Sequence, residues 1–347
     1  MNFFKAIAAG LYSFGLRIRH GMYDSGMIHS YTADIPVVCV GNLTVGGTGK
    51  TPTVEYLVDK LSLQYTVAVL SRGYGRRTKG YIEVQPDSSF LKVGDEPKQI
   101  KRNFPKVVVV VCEDREAGIR RIRSEHPEVD LILMDDGFQH RRVNPKVNIV
   151  LADYSRPIHE DHLLPLGRLR DLPSQLHRVN IVLITKTPAS INSLDRSIML
   201  KYLKLRPYQK GFFASVTHDA PQSMFPDAEG LLPVGRNVVA LAGIANPTGF
   251  VDYVRGNYSL KDEWIFKDHH VYKVGELKKL VEKLEGLPHD TVILTTAKDA
   301  VKLVNRKKVP LELQRRLYKI PMRVSFPDPC DETGFLAALR ENIEYSY

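Results

Sequence analysis

The sequence has no apolar run of the roughly 20 residues needed to cross a bilayer core, which sets aside a membrane-spanning helix. It has only three cysteines, Cys39, Cys112 and Cys330. They are far apart and odd in number, and two sit in apolar strand-like runs. That argues against a disulfide framework and a thiolate metal site, and for reduced thiols in a cytosolic protein. Lysine and arginine are not clustered among stacking aromatics, so a nucleic-acid-binding module is not indicated. No base-reading N-K-x-D follows a strand. Thr185-Lys186-Thr187-Pro188 lacks the aspartate, and the TAKD at 296–299 lies in a later part of the chain. A small-residue cleavage site is also missing after the first apolar stretch, where basic residues follow instead.

What is present is ordinary for a globular protein: 43% hydrophobic and 25% charged residues in 347 positions, a length suited to two domains. The net charge of +10 favours an acidic partner, whether nucleotide, nucleic acid or anionic membrane surface. At the N-terminus Phe3, Phe4, Ile7, Leu11, Phe14 and Ile18 recur roughly on one helical face, with Lys5, Arg17, Arg19 and His20 beside them. Two readings fit: an interfacial helix lying on an anionic leaflet, or an amphipathic helix packed on the protein's own core.

The stretch VVCVGNLTVGGTGKTP, from Val37 to Pro52, reads as strand, glycine loop and helix, the order of a phosphate-binding P-loop. Thr44, Val45, Gly46, Gly47, Thr48 and Gly49 would cradle phosphates with backbone N–H groups. Lys50 would reach the β- and γ-phosphates, and the Thr51 hydroxyl would bind Mg²⁺. Thr44 stands where the usual pattern has glycine. Further on, LILMDD ends in Asp135 and Asp136, placed as a Walker B acid is placed, to hold Mg²⁺ from the side opposite Thr51.

Other strand ends carry further chemistry, and ligands of open α/β sheets bind beyond those ends. Arg72 and Tyr74 lie in a basic turn after one strand, and Asp95 and Glu96 form a carboxylate pair before a helix. Arg115 follows the apolar run VVVVV. His140 sits in the QHRR that follows Asp136, and Arg170-Asp171 lies in a loop bounded by proline and glycine. Strand and helix alternate with short connections, which predicts a mostly parallel sheet with helices on both faces. The expected division is an N-terminal helix at 1–25, a P-loop domain at 26–213, a turn-rich linker at 214–236, a smaller α/β domain at 237–325 and a C-terminal helix at 326–347.

GNLTVGGTGKTP, LSRGYGRR, VGDEP, EDR, LILMDDGFQHRR, LLPLGRLRD, KDHH and TTAKDAVKL, in that order from 41 to 303, together resemble the tetraacyldisaccharide 4′-kinases of lipid A biosynthesis in Gram-negative bacteria. The departure at Thr44 is itself shared with that family. The resemblance implies transfer of the ATP γ-phosphate to the 4′-hydroxyl of a tetraacylated disaccharide 1-phosphate, with Mg²⁺. It implies Asp95 as the group that takes the hydroxyl proton, supported by His269 rather than His270, and Arg115 beside the developing charge. Arg72, Tyr74, Glu96, His140, Arg170 and Asp171 become candidates for nucleotide or headgroup contacts. It also implies a lipid substrate and a peripheral position on the cytoplasmic face of the inner membrane, reached through the N-terminal helix. Neither a nucleic acid nor an obligate protein partner is expected.

Overall fold

The computed structural model describes residues 2–226, 232, 235–304 and 307–345. A helix, α1 (Asn2–Asp24), precedes the first sheet. The chain then runs β1 (Val37–Asn42), α2 (Lys50–Leu61), β2 (Val67–Ser71), β3 (Ile82–Glu83), α3 (Phe90–Val93), α4 (Asp95–Asn103), β4 (Val108–Val111), α5 (Arg115–Glu125) and β5 (Leu131–Asp135). After it come β6 (Val147–Asp153), β7 (Ile181–Thr185), α6 (Ser193–Leu203) and β8 (Lys210–Phe213). These strands form one eight-stranded sheet in the order β3-β4-β2-β5-β1-β6-β7-β8, parallel throughout except for β3. Strands such as VVCV and LILM are buried along their length because helices cover both faces. Successive side chains alternate between the two layers. Val38, Val40, Leu133 and Ile149 pack with Leu57 and Val58 of α2. Val37, Cys39, Ile132 and Met134 pack with Ile119 and Ile122 of α5.

β9 (Ser215–His218) and β10 (Gln222–Ser223) lead into the second sheet, which is completed by β11 (Asn237–Ala242), α7 (Thr248–Asn257), β12 (Ser259–Ile265), α8 (Val274–Glu285), β13 (Val292–Thr296), α9 (Ala297–Ala300), α10 (Leu311–Gln314) and β14 (Leu317–Ile320). Its strand order is β10-β14-β13-β11-β12. The chain returns along β15 (Met322–Ser325), which pairs antiparallel with β9, and ends in α11 (Pro329–Glu344).

Two features differ from the sequence reading. The 214–236 stretch, taken as a turn-rich linker, contains β9 and β10. Residues 227–231, 233 and 234 of it lie outside the described residues. The C-terminal helix rejoins the first sheet: Phe335, Ala338, Leu339 and Ile343 of α11 are buried in the same core as β1 and α2. Asp328 caps α11 by accepting from Cys330 N, and Pro329 sits in its first turn, where no N–H is needed. The first domain is therefore built from both ends of the chain, with the second inserted between β8 and α11.

α1 does not bury its apolar stripe on the core. It docks through Ala9, Leu16 and His20, while Phe3, Phe4, Ile7, Leu11, Phe14 and Ile18 face outward, Phe3 at 72% and Phe4 at 77% exposure.

Candidate active site

The carboxyl ends of β1, β2, β5, β6 and β7 converge, and the polar groups gather there. Beyond Asn42 the chain stays extended before the glycines turn it. Val45 N donates to Arg168 O at 2.8 Å, Arg170 N donates to Leu43 O at 2.8 Å, and Thr44 bridges Leu169. Threonine serves at 44 because that position is strand-paired and has no positive φ. The positive φ values fall on Gly46 (109°) and Gly49 (82°), where glycine alone is unstrained. Asn42 Nδ2 donates to Thr48 Oγ1 at 2.8 Å and Thr185 Oγ1 donates to Thr48 O at 2.9 Å, fixing the loop from both sides. Lys50 opens α2 with Nζ 3.8 Å from Asp136 Oδ1.

Asp135 is buried and accepts from Ser71 Oγ at 3.0 Å. Burial, then the nearby carboxylates of Glu96 and Asp136, push its pKa up to about 7 against the pull of Lys50. Asp136 turns the chain with φ of 49° and meets the Arg170 guanidinium, with Nη1 at 3.1 Å from Oδ2. Burial works to raise the pKa of Asp136, but Arg170 and Lys50 outweigh it and hold the group low. Thr51, Asp135 and Asp136 offer only oxygen donors. Among the described residues no three His, Cys, Asp or Glu side chains cluster to cage a metal. Such a sparse, hard donor set fits a Mg²⁺ that keeps waters and phosphate oxygens as its other ligands.

Across from this cluster, Asp95 stands at the start of α4. Gly94 before it has φ of 93°, and a Cβ there would lie 3.1 Å from Tyr74 O, so glycine lets the 73–75 turn close on Asp95. His269 Nδ1, brought from the second domain, lies 3.0 Å from Asp95 Oδ2 and donates to it when the carboxyl is ionised. Lys302 Nζ is 3.4 Å from the same oxygen. Burial acts to raise the pKa of Asp95, yet the His269 bond and the Lys302 charge prevail and lower it. His269 has φ of 57°, and Tyr74 packs on its ring at 5.4 Å. His270 turns away, stacked on Phe266 and bonded to Glu276.

Of the remaining residues singled out by sequence, Arg170 reaches the site, and Glu96 lies 4.0 Å from Lys298 of the second domain. Arg72 and Tyr74 are exposed on the turn beside it. His140 is held neutral by burial and the Arg115 charge, its pKa down at about 4. Arg115 is buried at the carboxyl end of β5, donating to Cys112 O at 2.5 Å and Asp135 O at 3.2 Å, so its guanidinium braces that strand end beside the paired acids. Asp171 is fully buried against His20 of α1 at 2.6 Å.

Sequence reading missed Asn42, Gln139 and Lys302. Lys302 is fully buried between Asp95 and Asp299, the latter 3.0 Å away and held by Gly243 N and Thr296 Oγ1 at 2.8 Å each. Its traces in the sequence are its place in the TTAKDAVKL stretch and its i, i+3 spacing from Asp299.

The chain matches the sequence model of the Tetraacyldisaccharide-1-P 4′-kinase family over residues 1–344. A tetraacyldisaccharide 4′-kinase of Porphyromonas gingivalis is 39% identical over 323 residues, 91% of this chain and 90% of that protein. One from Phocaeicola vulgatus is 36% identical, covering 91% and 88%. The solved structure of LpxK from Aquifex aeolicus in complex with ATP superposes with a TM-score of 0.75 at 26% identity, covering 97% of this chain and 98% of that one. With a glycine loop, paired acids and a carboxylate–histidine pair on a P-loop-like α/β fold, and with a family match over residues 1–344, the chain belongs to the tetraacyldisaccharide 4′-kinase family.

Proposed function

We propose that the chain performs its family's 4′-phosphorylation with ATP as donor, and that Asp95 is the group that receives the acceptor's proton. Phosphoryl transfer asks for charge neutralisation and in-line positioning more than for covalent chemistry. The 46–49 backbone and Lys50 bind the donor phosphates. Mg²⁺, when bound, spreads the charge of the β- and γ-oxygens, and Thr51, Asp135 and Asp136 would hold it. Asp95 orients the 4′-hydroxyl and takes its proton as the new P–O bond forms. His269 keeps the carboxylate aimed and ionised. The observation that carries this reading is the approach of His269 to Asp95 across the domain boundary. Assayed by mass spectrometry with Mg·ATP and a tetraacyldisaccharide 1-phosphate, the protein should add one phosphate. Lys50→Ala and Asp95→Ala should each lower kcat by about a hundredfold or more. Wild-type turnover in Asp95→Ala would remove the proton-acceptor role.

The outward apolar ridge of α1 supports a second part of the reading. A four-chain lipid stays in its bilayer, so its kinase works at the surface, and Phe3, Phe4 and Ile7 are placed to insert while Arg17 meets anionic headgroups; Arg19, expected beside it, is turned inward to Gln139 O instead. No described helix is long and apolar enough to cross a membrane. The site of action is then the cytoplasmic leaflet of the inner membrane, where ATP is available. Phe3→Asp with Phe4→Asp should abolish co-sedimentation with anionic liposomes; unchanged sedimentation would sink the membrane assignment.

A further inference from the structure

The polar side of α1, opposite its apolar ridge, is fastened to the phosphate site by two routes. On the first, Tyr12 Oη donates to Arg170 O at 2.8 Å, and His20 Nε2 lies 2.6 Å from Asp171 Oδ1. Both groups are buried: His20 is 3% exposed and Asp171 fully enclosed. Arg170, fixed between them, spends its guanidinium on Asp136 and on Asn42. On the second route, Arg19 Nη2 donates to Gln139 O at 2.7 Å, and Gln139 Nε2 donates to Asn42 O at 2.8 Å. The routes meet at Asn42, whose side chain holds Thr48 of the glycine loop. Arg141 locks the same end of the helix, bonding His20 O at 3.2 Å and Asp24 at 2.7 Å.

An anchor needs only its apolar face. A helix that merely tethers the protein gains nothing from a buried imidazole–carboxylate pair next to the arginine that holds Asp136. Burying such a pair costs desolvation that its contacts must offset, so its position is informative. We propose that α1 is a positioning element of the kinase as well as its membrane contact. His20, Tyr12 and Arg19 set the 168–171 and 139–141 loops so that Arg170 and Asn42 hold Asp136 and the phosphate loop in register. This rests on the membrane reading above only for what occupies the outer face of α1; the inner-face relay stands on the contacts just given. Its consequence is that a helix displaced from its seat loosens the donor site even when ATP is saturating.

The relay is tested with the full-length protein on anionic phosphatidylglycerol vesicles carrying the tetraacyldisaccharide 1-phosphate. The variants are Tyr12→Phe, His20→Ala, Asp171→Ala, Asp171→Glu and the double His20→Ala/Asp171→Ala. The removing variants should sediment with vesicles like wild type yet lose about tenfold to a hundredfold in kcat, the size expected of a sub-ångström misplacement near the chemistry. KM for the lipid should stay within about twofold, since the loss lies in transition-state positioning and not in surface capture. The double variant should be no worse than the poorer single one, because both remove the same link. Asp171→Glu, which keeps the carboxylate, should restore most of the rate. If His20→Ala fails to fold by circular dichroism, Tyr12→Phe decides the matter, since it deletes one hydroxyl from an accessible ring. Wild-type kcat in Tyr12→Phe and His20→Ala would overturn the relay and leave the membrane reading intact. Loss of vesicle binding in the Phe3→Asp/Phe4→Asp protein, alongside full turnover in the inner-face variants, would make α1 an anchor only. Retained vesicle binding in that protein with slowed inner-face variants would keep the relay and remove the anchor.

Discussion

Lys302 shows what a single residue does in this site. It carries a full charge into a fully buried position and spends it on two carboxylates, Asp95 and Asp299. Asp95 faces His269, Lys302 and Lys298, all from the second domain; burial acts to raise its pKa, and the three together, His269 and Lys302 foremost, outweigh it and lower it. A proton acceptor must be ionised to work, so activity is lost as pH falls through the pKa of Asp95. With Mg²⁺ saturating, so that its ligand Asp135 is held ionised and does not set the acidic limb, Lys302→Met removes one of the cations that depress the pKa of Asp95, that pKa rises, and the acidic limb of the kcat–pH profile moves to higher pH. Above that limb the rate should recover much of its value, which separates an electrostatic role from collapse of the site. An unshifted limb would refute it. The positions of Lys50, Thr51, Asp135 and Asp136 were legible in the sequence because one strand-loop-helix unit and one strand end place them locally. Lys302 was not, because its meaning comes from Asp95 two hundred positions earlier. Arg115 was legible as a charge after a strand, but its burial and its bonds to the carbonyls of Cys112 and Asp135 were not, because they depend on strands that pair only in the folded sheet.

Helices α1 and α11 show the same limit at the next scale. Their amphipathic patterns announced two helices and gave their extents to within a few residues. A pattern of apolar positions says which face avoids water, not whether protein or lipid covers it. α11 covers its face with the first sheet: Phe335 is fully buried and packs against Tyr56, Phe212 and Phe326. Phe335→Ala should therefore cost about 3–5 kcal/mol, read as a fall in the denaturation midpoint. A loss below about 1 kcal/mol would mean that α11 packs loosely. α1 does the reverse, sending polar groups inward and apolar groups out. The extended pairing of 43–45 with 168–170 explains in backbone terms why Thr44 departs from the common loop pattern. That pairing joins segments more than a hundred residues apart, and no local pattern contains it.

For the whole molecule, the parallel sheet was legible from the repeated strand-helix alternation, and the inserted position of the second domain was not. Nothing in a linear pattern says that the last helix returns to the first core. The insertion assigns the halves different duties. The phosphate loop, Asn42, Asp136 and Arg170 all belong to the first domain, while His269 and Lys302 come from the second. Ser215 and Ser325 are cross-strand partners, so a hairpin turn of about two residues could join them directly. A protein shortened in this way should still bind nucleotide, measured by calorimetry, and should transfer no phosphate. Phosphorylation of the lipid by the shortened protein would show that the second domain is dispensable for the chemistry.

The pairing of β9 with β15 also bears on how such a protein could have been assembled. Entrance and exit of the inserted domain lie side by side, at the distance of adjacent strands. A gene segment added there lengthens one hairpin and leaves the order of every strand in the first sheet untouched. The histidine that holds Asp95 then arrives as a cassette plugged into the scaffold that carries the glycine loop. A different cassette at the same socket would give the scaffold a different acceptor.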